Sequence, residues 1–368
     1  MTDVSMKRQQ GGNIYEAHRQ WASRPADQIY PTIAAMHEFC SQVRAGSFEG
    51  EAPLSSCSIY PAGHDDLRLI IPEEGECEFT NFSFKQFCSM IGAPAEHYAS
   101  LPGHIVETPM NYLIKENLEK DKVAKILFFN DNAEDRLFIR AATSKVYDRL
   151  WNSDVTEFLT RLNPDKIKLA KSASDATGLY ASDHDMFAFL LAKETYLDIP
   201  GTELVRGFYI MNNEVGTGSL TFCGFLCDYV CGNHIIWNVK DSFQLNVRHV
   251  GTTANTVFTE VIPQAVAITM LAGAKAQEER IRNAQAKMLG PSKEEVVNFV
   301  FEKNIATRKF AEAAYDYATV RHDETGFCEP NSAWGMVSGL THEAKQVPYY
   351  DQRAQAERAA SKLLELVA

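Results

Sequence analysis

The sequence NNEVGTGSLTFCGFLCDYVCGNHIIW, residues 212–237, decides the fold predicted for the centre of this chain. Within it, Cys223, Cys227 and Cys231 recur every four residues. On a helix, residues four apart lie on one face and are close enough to share a metal ion. On a strand they also share a face, but they lie roughly 13 Å apart, because each residue advances the chain by about 3.3 Å. A metal site here therefore requires a helix.

The composition of this stretch favours a strand. TFCGFLCDYVC combines β-branched and aromatic residues with an interior glycine, and it follows the turn sequence NNEVGTGS. Alternate residues from Thr221 to Cys231 would then lie on one face of a pleat. Thiolates spread over roughly 26 Å cannot surround one zinc ion, whose bonds to sulfur are about 2.3 Å long. We therefore predict buried cysteines on the inner face of a central strand.

Runs of similar character on both sides predict a β-rich centre. The clearest is AKILFFNDNAEDRLFIRAATS, residues 124–144, which predicts a hairpin whose turn is NDNAED. A helix is predicted near residues 154–162, with Asn152 or Ser153 as its N-cap. The other predicted strands are 166–171, 186–191, 205–212, 220–231, 234–239 and 243–247.

The chain becomes helical after Gly251. Apolar residues follow at helical spacing as far as Leu289, which predicts one helix of roughly thirty residues. This helix would either pack along a sheet or form a helix–helix contact between subunits. Further helices are predicted at 292–303, 307–320, 333–346 and about 350–367.

The region before the hairpin mixes short helices and strands. The predicted helices are 14–23, 32–44 and 105–119, and the predicted strands are 56–61 and 67–71. EEGECE is expected to be an acidic loop, followed by a helix that Ser83 caps and Gly92 ends.

These elements together predict an α+β protein. It would have a central, mostly antiparallel sheet with hairpins, a long helix after the sheet region, and helical N- and C-terminal flanks. The predicted regions are a disordered leader at 1–13, an N-terminal helical and α+β region at 14–120, a central α+β core domain at 121–290 and a C-terminal helical region at 291–368.

Composition and charge limit the classes of function. Hydrophobic residues make up 45% of the 368 residues and charged residues 23%, as in soluble globular proteins. The sequence has neither an apolar run long enough for a membrane span nor a signal-peptide pattern. We therefore expect a cytoplasmic protein with reduced cysteines and no association with a membrane.

The net charge of −12 disfavours bulk attraction to a polyanion. Residues 240–309 are an exception, because they carry 10 basic and 7 acidic side chains, a balance of +3. If the chain binds nucleic acid, this segment is the predicted place. The alternative is an ordinary distribution of charge over solvated helices.

The motifs of common catalytic sites are absent from the sequence. It contains no GxxxxGK[ST], HExxH, GxSxG or paired CxxC pattern. VGTGS at 215–219 and the triplet Asp183, His184 and Asp185 are each expected to form turns rather than a nucleotide or metal site. We therefore expect no metal and no cofactor, assign no catalytic residue, and favour a protein that is not an enzyme.

Two polar features remain as candidate sites. Glu214 lies in the turn between two apolar strands, where it is either an unusual acid or part of a polar turn. Arg248 and His249 end a strand just before the long helix. This cationic pair would contact phosphate, or Arg248 would be a structural residue with a buried carboxylate partner.

An ordered set of segments resembles a known family. The segments are FSFKQFCSMIGAPAEHYASLP at 82–102, RAATSKVYDRLWNSDV at 140–155, GFYIMNNEVGTGSL at 207–220, VCGNHIIW at 230–237 and RHVG at 248–251. In order and spacing they are similar to the phage- and plasmid-like proteins of domain-of-unknown-function family 932. The resemblance covers about residues 82–289 and implies a mobile-element origin, without an established reaction.

One position departs from the family pattern. Where the family usually has Cys-x-Asn-Gly, this chain has Cys231, Gly232, Asn233 and His234, so a glycine that could adopt positive φ is replaced. The turn residues that the resemblance marks are Asn213, Glu214, Gly218, Ser219, Asn233 and His234.

The function favoured from the sequence is nucleic-acid binding by a homo-oligomer in the cytoplasm of a host cell. A sheet of hairpins backed by a long helix is similar to bacteriophage single-strand annealing proteins, which implies single-stranded DNA binding or annealing in recombination. The predicted contact residues are Trp237, Lys240, Arg248, His249, Lys275, Arg280 and Arg282. The alternatives are a non-catalytic protein that blocks or decoys a host complex, and an enzyme that acts on a nucleotide-like substrate at Glu214, Arg248 and His249.

Overall fold

The chain is an α+β protein with mostly antiparallel sheets, helices near the N-terminus and a helical C-terminal region, as the sequence predicts. Its described strands form two sheets, whereas the sequence suggested one central sheet. This computed structural model describes residues 25–63, 66–116, 122–131, 136–169, 177–199, 202–228, 237–238, 244–271, 275–346, 359–360, 362–364 and 366–367. The predicted leader at 1–13 and the predicted helix at 14–23 lie outside these residues.

Within the described residues, the first sheet has six strands in the order β1-β5-β6-β4-β3-β2. They are β1 (Ser47–Pro53), β2 (Ser58–Ala62), β3 (Asp66–Ile71), β4 (Gly75–Phe79), β5 (Val123–Asp131) and β6 (Arg136–Ser144). β5 and β6 pair antiparallel, which confirms the predicted hairpin, whereas β4 and β6 pair in parallel. β1–β4 lie before residue 120 and β5 and β6 lie after it, so two of the predicted regions contribute strands to this sheet.

The second sheet has the order β12-β11-β10-β9-β7, with β13 beside β11 and β8 beside β9. Its strands are β7 (Ile167–Leu169), β8 (Leu179–Ala181), β9 (Asp185–Ile199), β10 (Thr202–Asn213), β11 (Leu220–Asp228), β12 (Trp237–Asn238) and β13 (Gln244–Val247). All of these pairs are antiparallel.

The described helices flank the two sheets. They are α1 (Ile33–Ala45), α2 (Asn81–Ile91), α3 (Ala95–Tyr98), α4 (Gly103–Glu116), α5 (Asn152–Thr160), α6 (Thr253–Thr256), α7 (Ile262–Leu271), α8 (Lys275–Ala286), α9 (Lys293–Glu302), α10 (Arg308–Thr325) and α11 (Ala333–Gln346). Among the described residues, no helix is both long and apolar enough to cross a membrane.

β11 confirms the strand predicted for the cysteine-rich stretch. Cys223 and Phe225 are buried with Tyr209 of β10, and Phe189 of β9 stacks on Phe225 at 4.3 Å between ring centroids. Phe222, which precedes Cys223 on β11, faces the other side of the sheet and is buried there as well. Cys227 lies on the same strand, whereas Cys231 falls outside the described residues. Cys223 is thus an interior residue of a sheet that is covered on both faces.

Two predicted helix caps are wrong. α2 is capped by Thr80, and Ser83 is the third helical residue, whose hydroxyl accepts the Thr80 N–H in a capping box. α5 begins after Trp151, so Asn152 and Ser153 lie inside its first turn. The predicted acidic loop EEGECE is correct only for Glu73 and Glu74, which lie in a turn, because β4 begins at Gly75, whose φ of 85° turns the chain into the strand.

The region after the second sheet is helical, as predicted. Between α6 and α7 the chain forms a wider π-helical turn over Val257–Val261, just before Pro263, which has no N–H to donate and would clash with the carbonyl four residues earlier. The helices predicted at 292–303, 307–320 and 333–346 correspond to α9, α10 and α11. They bury a separate core with Trp334 at its centre.

Candidate functional site

Glu214 is buried in the turn after β10, with only 3% of its surface exposed. Its Oε1 accepts a hydrogen bond from Arg140 Nη2 at 2.6 Å, and its Oε2 accepts the backbone N–H of Asn152 at 2.9 Å. Arg149 donates to the backbone oxygen of the same residue. Both carboxylate oxygens of Glu214 are therefore occupied by donors of the protein itself.

The turn sequence holds Glu214 in this position. The side-chain oxygen of Asn213 accepts the backbone N–H of Val215 at 3.2 Å and that of Thr217 at 2.8 Å, the arrangement expected of an asparagine in a turn. Gly216 has a φ of 91°, and a Cβ there would lie 3.1 Å from Thr143. The positive φ therefore favours glycine, and a larger residue would also have to displace the Thr143 side chain slightly.

Three further segments of the family-like set meet at this turn, the first through Gln86 of 82–102, which donates to the carbonyl of Val215 at 2.8 Å. Tyr147 pairs with Val250 as an isolated bridge, and the N–H of Gly251 donates to the carbonyl of Val146 at 3.0 Å. The hydroxyl of Tyr147 donates to the backbone oxygen of Asn213 at 2.9 Å. The segments at 82–102, 140–155, 207–220 and 248–251 thus come together, whereas most of 230–237 lies outside the described residues.

The geometry around Glu214 is that of a structural ion pair. Glu214 and Arg140 are both almost completely buried, and the carboxylate also lies at the N-terminus of α5, where the helix dipole favours a negative charge. A general acid or base needs an oxygen that can reach a substrate, and neither oxygen of Glu214 is open in this way. The sequence suggested a buried carboxylate as a structural partner of Arg248. Arg248 is exposed, and the buried carboxylate of Glu214 pairs with Arg140 instead.

His249 is buried beside the exposed Arg248, with 3% of its surface exposed. Its Nδ1 donates to the carbonyl of Asp148 at 3.2 Å, and its ring lies 5.4 Å from the ring of Tyr147. Burial lowers the pKa of His249 below its ordinary value of 6.5, although the Asp148 carbonyl partly opposes this effect. The imidazole is therefore held neutral inside the fold.

The buried His249 predicts a loss of stability in acid. Below pH 6.5 the unfolded chain binds a proton at this residue that the folded chain does not, so the free energy of unfolding falls as the pH is lowered. The contribution is at most about 1.4 kcal/mol per pH unit for one proton. Urea unfolding between pH 7.5 and 5 should show a shallower pH dependence for His249→Asn than for the parent protein. The exposed His97 gives the control His97→Gln, which should keep the parent's slope, and equal slopes in all three proteins would contradict the assignment.

The other residues predicted to bind nucleic acid lie on separate elements. Trp237 is on β12, and Lys275 is on α8, but only their backbones are described. Arg280 and Arg282 also lie on α8, half-buried and exposed respectively.

The remaining turn residues of the family-like set are described only in part. In the turn before β11, Gly218 is exposed and Ser219 is half-buried. Lys240, Asn233 and His234 lie outside the described residues.

An exposed cluster of cations lies where α9 passes into α10. Phe301 is 47% exposed, and the guanidinium carbon of Arg308 lies over its ring, 5.4 Å from the centroid. Lys303 and Lys309 are exposed on either side of the connection, and Lys362 Nζ donates to the carbonyl of Asn304 at 2.9 Å. We call Phe301, Lys303, Arg308, Lys309 and Lys362 the basic corner.

The charge of the basic corner is not balanced locally. In the part of the chain that the structure describes, none of its four cations forms an ion pair, although the exposed Glu302 and Glu312 are close in sequence. Some exposed cations elsewhere pair with carboxylates, as in Lys85–Glu96, Arg161–Glu157 and Lys293–Asp316, whereas the basic corner gathers four that form no such pair among the described residues. The basic corner therefore presents positive charge and an aromatic ring to solvent together.

Sequence reasoning found the segment but missed this cluster. Lys303, Arg308 and Lys309 belong to the basic segment 240–309, but the pattern could not show which of its cations lie together. Lys362 comes from the other end of the C-terminal region, and no local signal connects it with Asn304.

Comparisons with protein-family models, with curated proteins and with solved structures each found no match. The resemblance to domain-of-unknown-function family 932 therefore stays a prediction that rests on the order of the segments.

Proposed function

We propose that this protein binds nucleic acid, and that the basic corner holds the phosphodiester backbone. The observation that carries the proposal is the group of four cations without carboxylate partners, one of which lies over an exposed aromatic ring. Lysine and arginine contacts to phosphate supply most of the affinity of sequence-independent binding. Exposed cations without carboxylate partners raise the local positive potential, which an anion from outside would offset.

The net charge of −12 opposes this binding and limits the affinity that we expect. Repulsion from the rest of the chain weakens attraction at long range, so the contacts must be short and local. α10 begins at Arg308, and the partial positive charge of a helix N-terminus adds to the local potential at the corner. We therefore expect moderate affinity that falls steeply as salt is added.

A binding titration tests the proposal. The anisotropy of a labelled oligothymidylate at low salt should rise with the parent protein, and Lys303→Gln, Arg308→Gln and Lys309→Gln together should weaken binding about 100-fold. This estimate takes about 1 kcal/mol for each exposed charge contact, and 1.4 kcal/mol for each factor of ten.

The matched control neutralises three exposed cations that are ion-paired, through Lys85→Gln, Lys145→Gln and Arg161→Gln. This control should bind within a few-fold of the parent protein. An absence of binding by the parent at low salt, or an equal loss in both triple variants, would contradict the proposal.

Assembly into a homo-oligomer and strand annealing in a phage or plasmid belong to the same proposal. Residues 252–271, which include α6 and α7, contain one charged residue, Glu260, and the exposed Ala267 and Ile268 are apolar. Two copies of an acidic chain meet with least repulsion at such a face. Light scattering on the titration samples gives the mass, and the mass of a single chain would contradict the oligomer.

The alternatives predict other results from the same preparation. An acidic protein that blocks a host complex would bind no oligonucleotide and would carry a stoichiometric host protein from infected cells. An enzyme with its site at Glu214 is disfavoured, because Arg140 and Asn152 already occupy the carboxylate.

A further inference from the structure

We infer that the ligand of the basic corner is single-stranded, with a base stacked on Phe301; this inference rests on the proposed function and specifies its substrate class. Phe301 keeps 47% of its surface exposed at the end of α9, although burial would be favourable for a phenyl ring. Nearly half of a large aromatic surface is thus available beside four cations.

Arg308 determines how the ring can be used. Its guanidinium lies over the Phe301 ring and carries a delocalised charge that interacts favourably with the ring. A second flat group would stack on the exposed part of the ring outside this contact. A nucleobase fits, because every base has a π-face, and stacking of this kind tolerates any sequence.

The bases of a duplex are not available for this contact. Each of them is stacked between its neighbours, so a protein ring reaches a base face only after the base has been unstacked, which costs a few kcal/mol. A single strand exposes its base faces without that cost, and its phosphates remain within reach of lysines next to the ring.

The lysines of the basic corner come from three places along the chain. Lys303 follows α9, whereas Lys309 lies in the first turn of α10. Lys362 reaches the connection from the C-terminal residues through its hydrogen bond to the Asn304 carbonyl. A strand that stacks one base on Phe301 would therefore have lysines from the end of α9, the start of α10 and the C-terminal residues at the same corner for its phosphates.

The test compares two ligands and three variants. The parent protein and Phe301→Ala, Phe301→Tyr and Tyr112→Ala are titrated with a single-stranded oligonucleotide and with a duplex of equal length. Phe301→Ala should weaken single-strand binding about 5- to 150-fold, which corresponds to the 1–3 kcal/mol of one base stack. Phe301→Tyr keeps the ring and should bind like the parent. Tyr112 is another exposed aromatic residue, on α4, and its loss should have no effect.

The outcomes separate the single-strand inference from the proposed nucleic-acid binding. If the parent binds the duplex as tightly as the single strand, or if Phe301→Ala binds like the parent while the triple cation variant does not, the single-strand inference is overturned and nucleic-acid binding stands. If the parent binds neither ligand, both claims are overturned. Circular dichroism of Phe301→Ala should match the parent, because the ring is largely outside the core of the C-terminal helices.

Discussion

Replacing Glu214 with alanine is expected to lower the free energy of unfolding by about 3–5 kcal/mol, the usual cost of removing one partner of a buried ion pair. Arg140 would keep its charge while only 4% exposed, with no carboxylate opposite it. The N–H of Asn152 at the start of α5 would also lose its acceptor. Urea unfolding followed by circular dichroism measures the change.

Two further variants separate the ion pair from its surroundings. Arg140→Met combined with Glu214→Leu replaces both charges with apolar groups and should recover much of the lost stability, because neither charge is left buried alone. Glu51→Ala removes one carboxylate of an exposed pair with Lys145 and should change stability by less than about 1 kcal/mol. A catalytic Glu214 would behave differently, since its removal would leave stability unchanged or raise it.

Gly339→Ala is expected to destabilise the C-terminal region by about 3 kcal/mol, at the upper end of the range for overpacked cores. A Cβ at this position of α11 would lie 2.6 Å from the carbonyl carbon of Ala314 on α10 and closer still to its oxygen. The obstacle is backbone, so the two helices must separate. Their separation would loosen the core around Ala311 and Leu340.

Thermal unfolding of Gly339→Ala checks this expectation against a matched glycine. Gly218 is exposed, and a Cβ there would meet only the side chain of Asn213, at 3.3 Å. Gly218→Ala should therefore change stability by less than about 1 kcal/mol. If Gly339→Ala unfolds at the parent's midpoint, the backbone of α10 at Ala314 does not lie as close to Gly339 as the structure places it.

Much of the fold follows from local patterns. The alternation of β5 and β6, and the apolar and β-branched runs of β9, β10 and β11, identify strands without any knowledge of their partners. β1 has no such pattern, since SFEGEAP contains two glutamates, a glycine and a proline. It forms a strand because β5 offers an edge with which Ser47–Pro53 can pair.

The candidate site is predictable only in part. The segments around Arg140, Glu214 and Arg248 stand out in the sequence, and the structure brings them together. The ion pair between Arg140 and Glu214 joins residues 74 positions apart, and no spacing rule reaches that far. The basic corner was missed for the same reason, because Lys362 and Asn304 are 58 positions apart.

The salt dependence of binding tests the central claim most directly. For single strands, the slope of log Kobs against log salt is about −0.7 for each phosphate neutralised, so four cations predict a slope of about −2.8. The variant that neutralises Lys303, Arg308 and Lys309 leaves Lys362 and should give a slope of about −0.7. A slope that is the same in the variant and in the parent protein would show that the phosphates are held elsewhere, and would contradict the account.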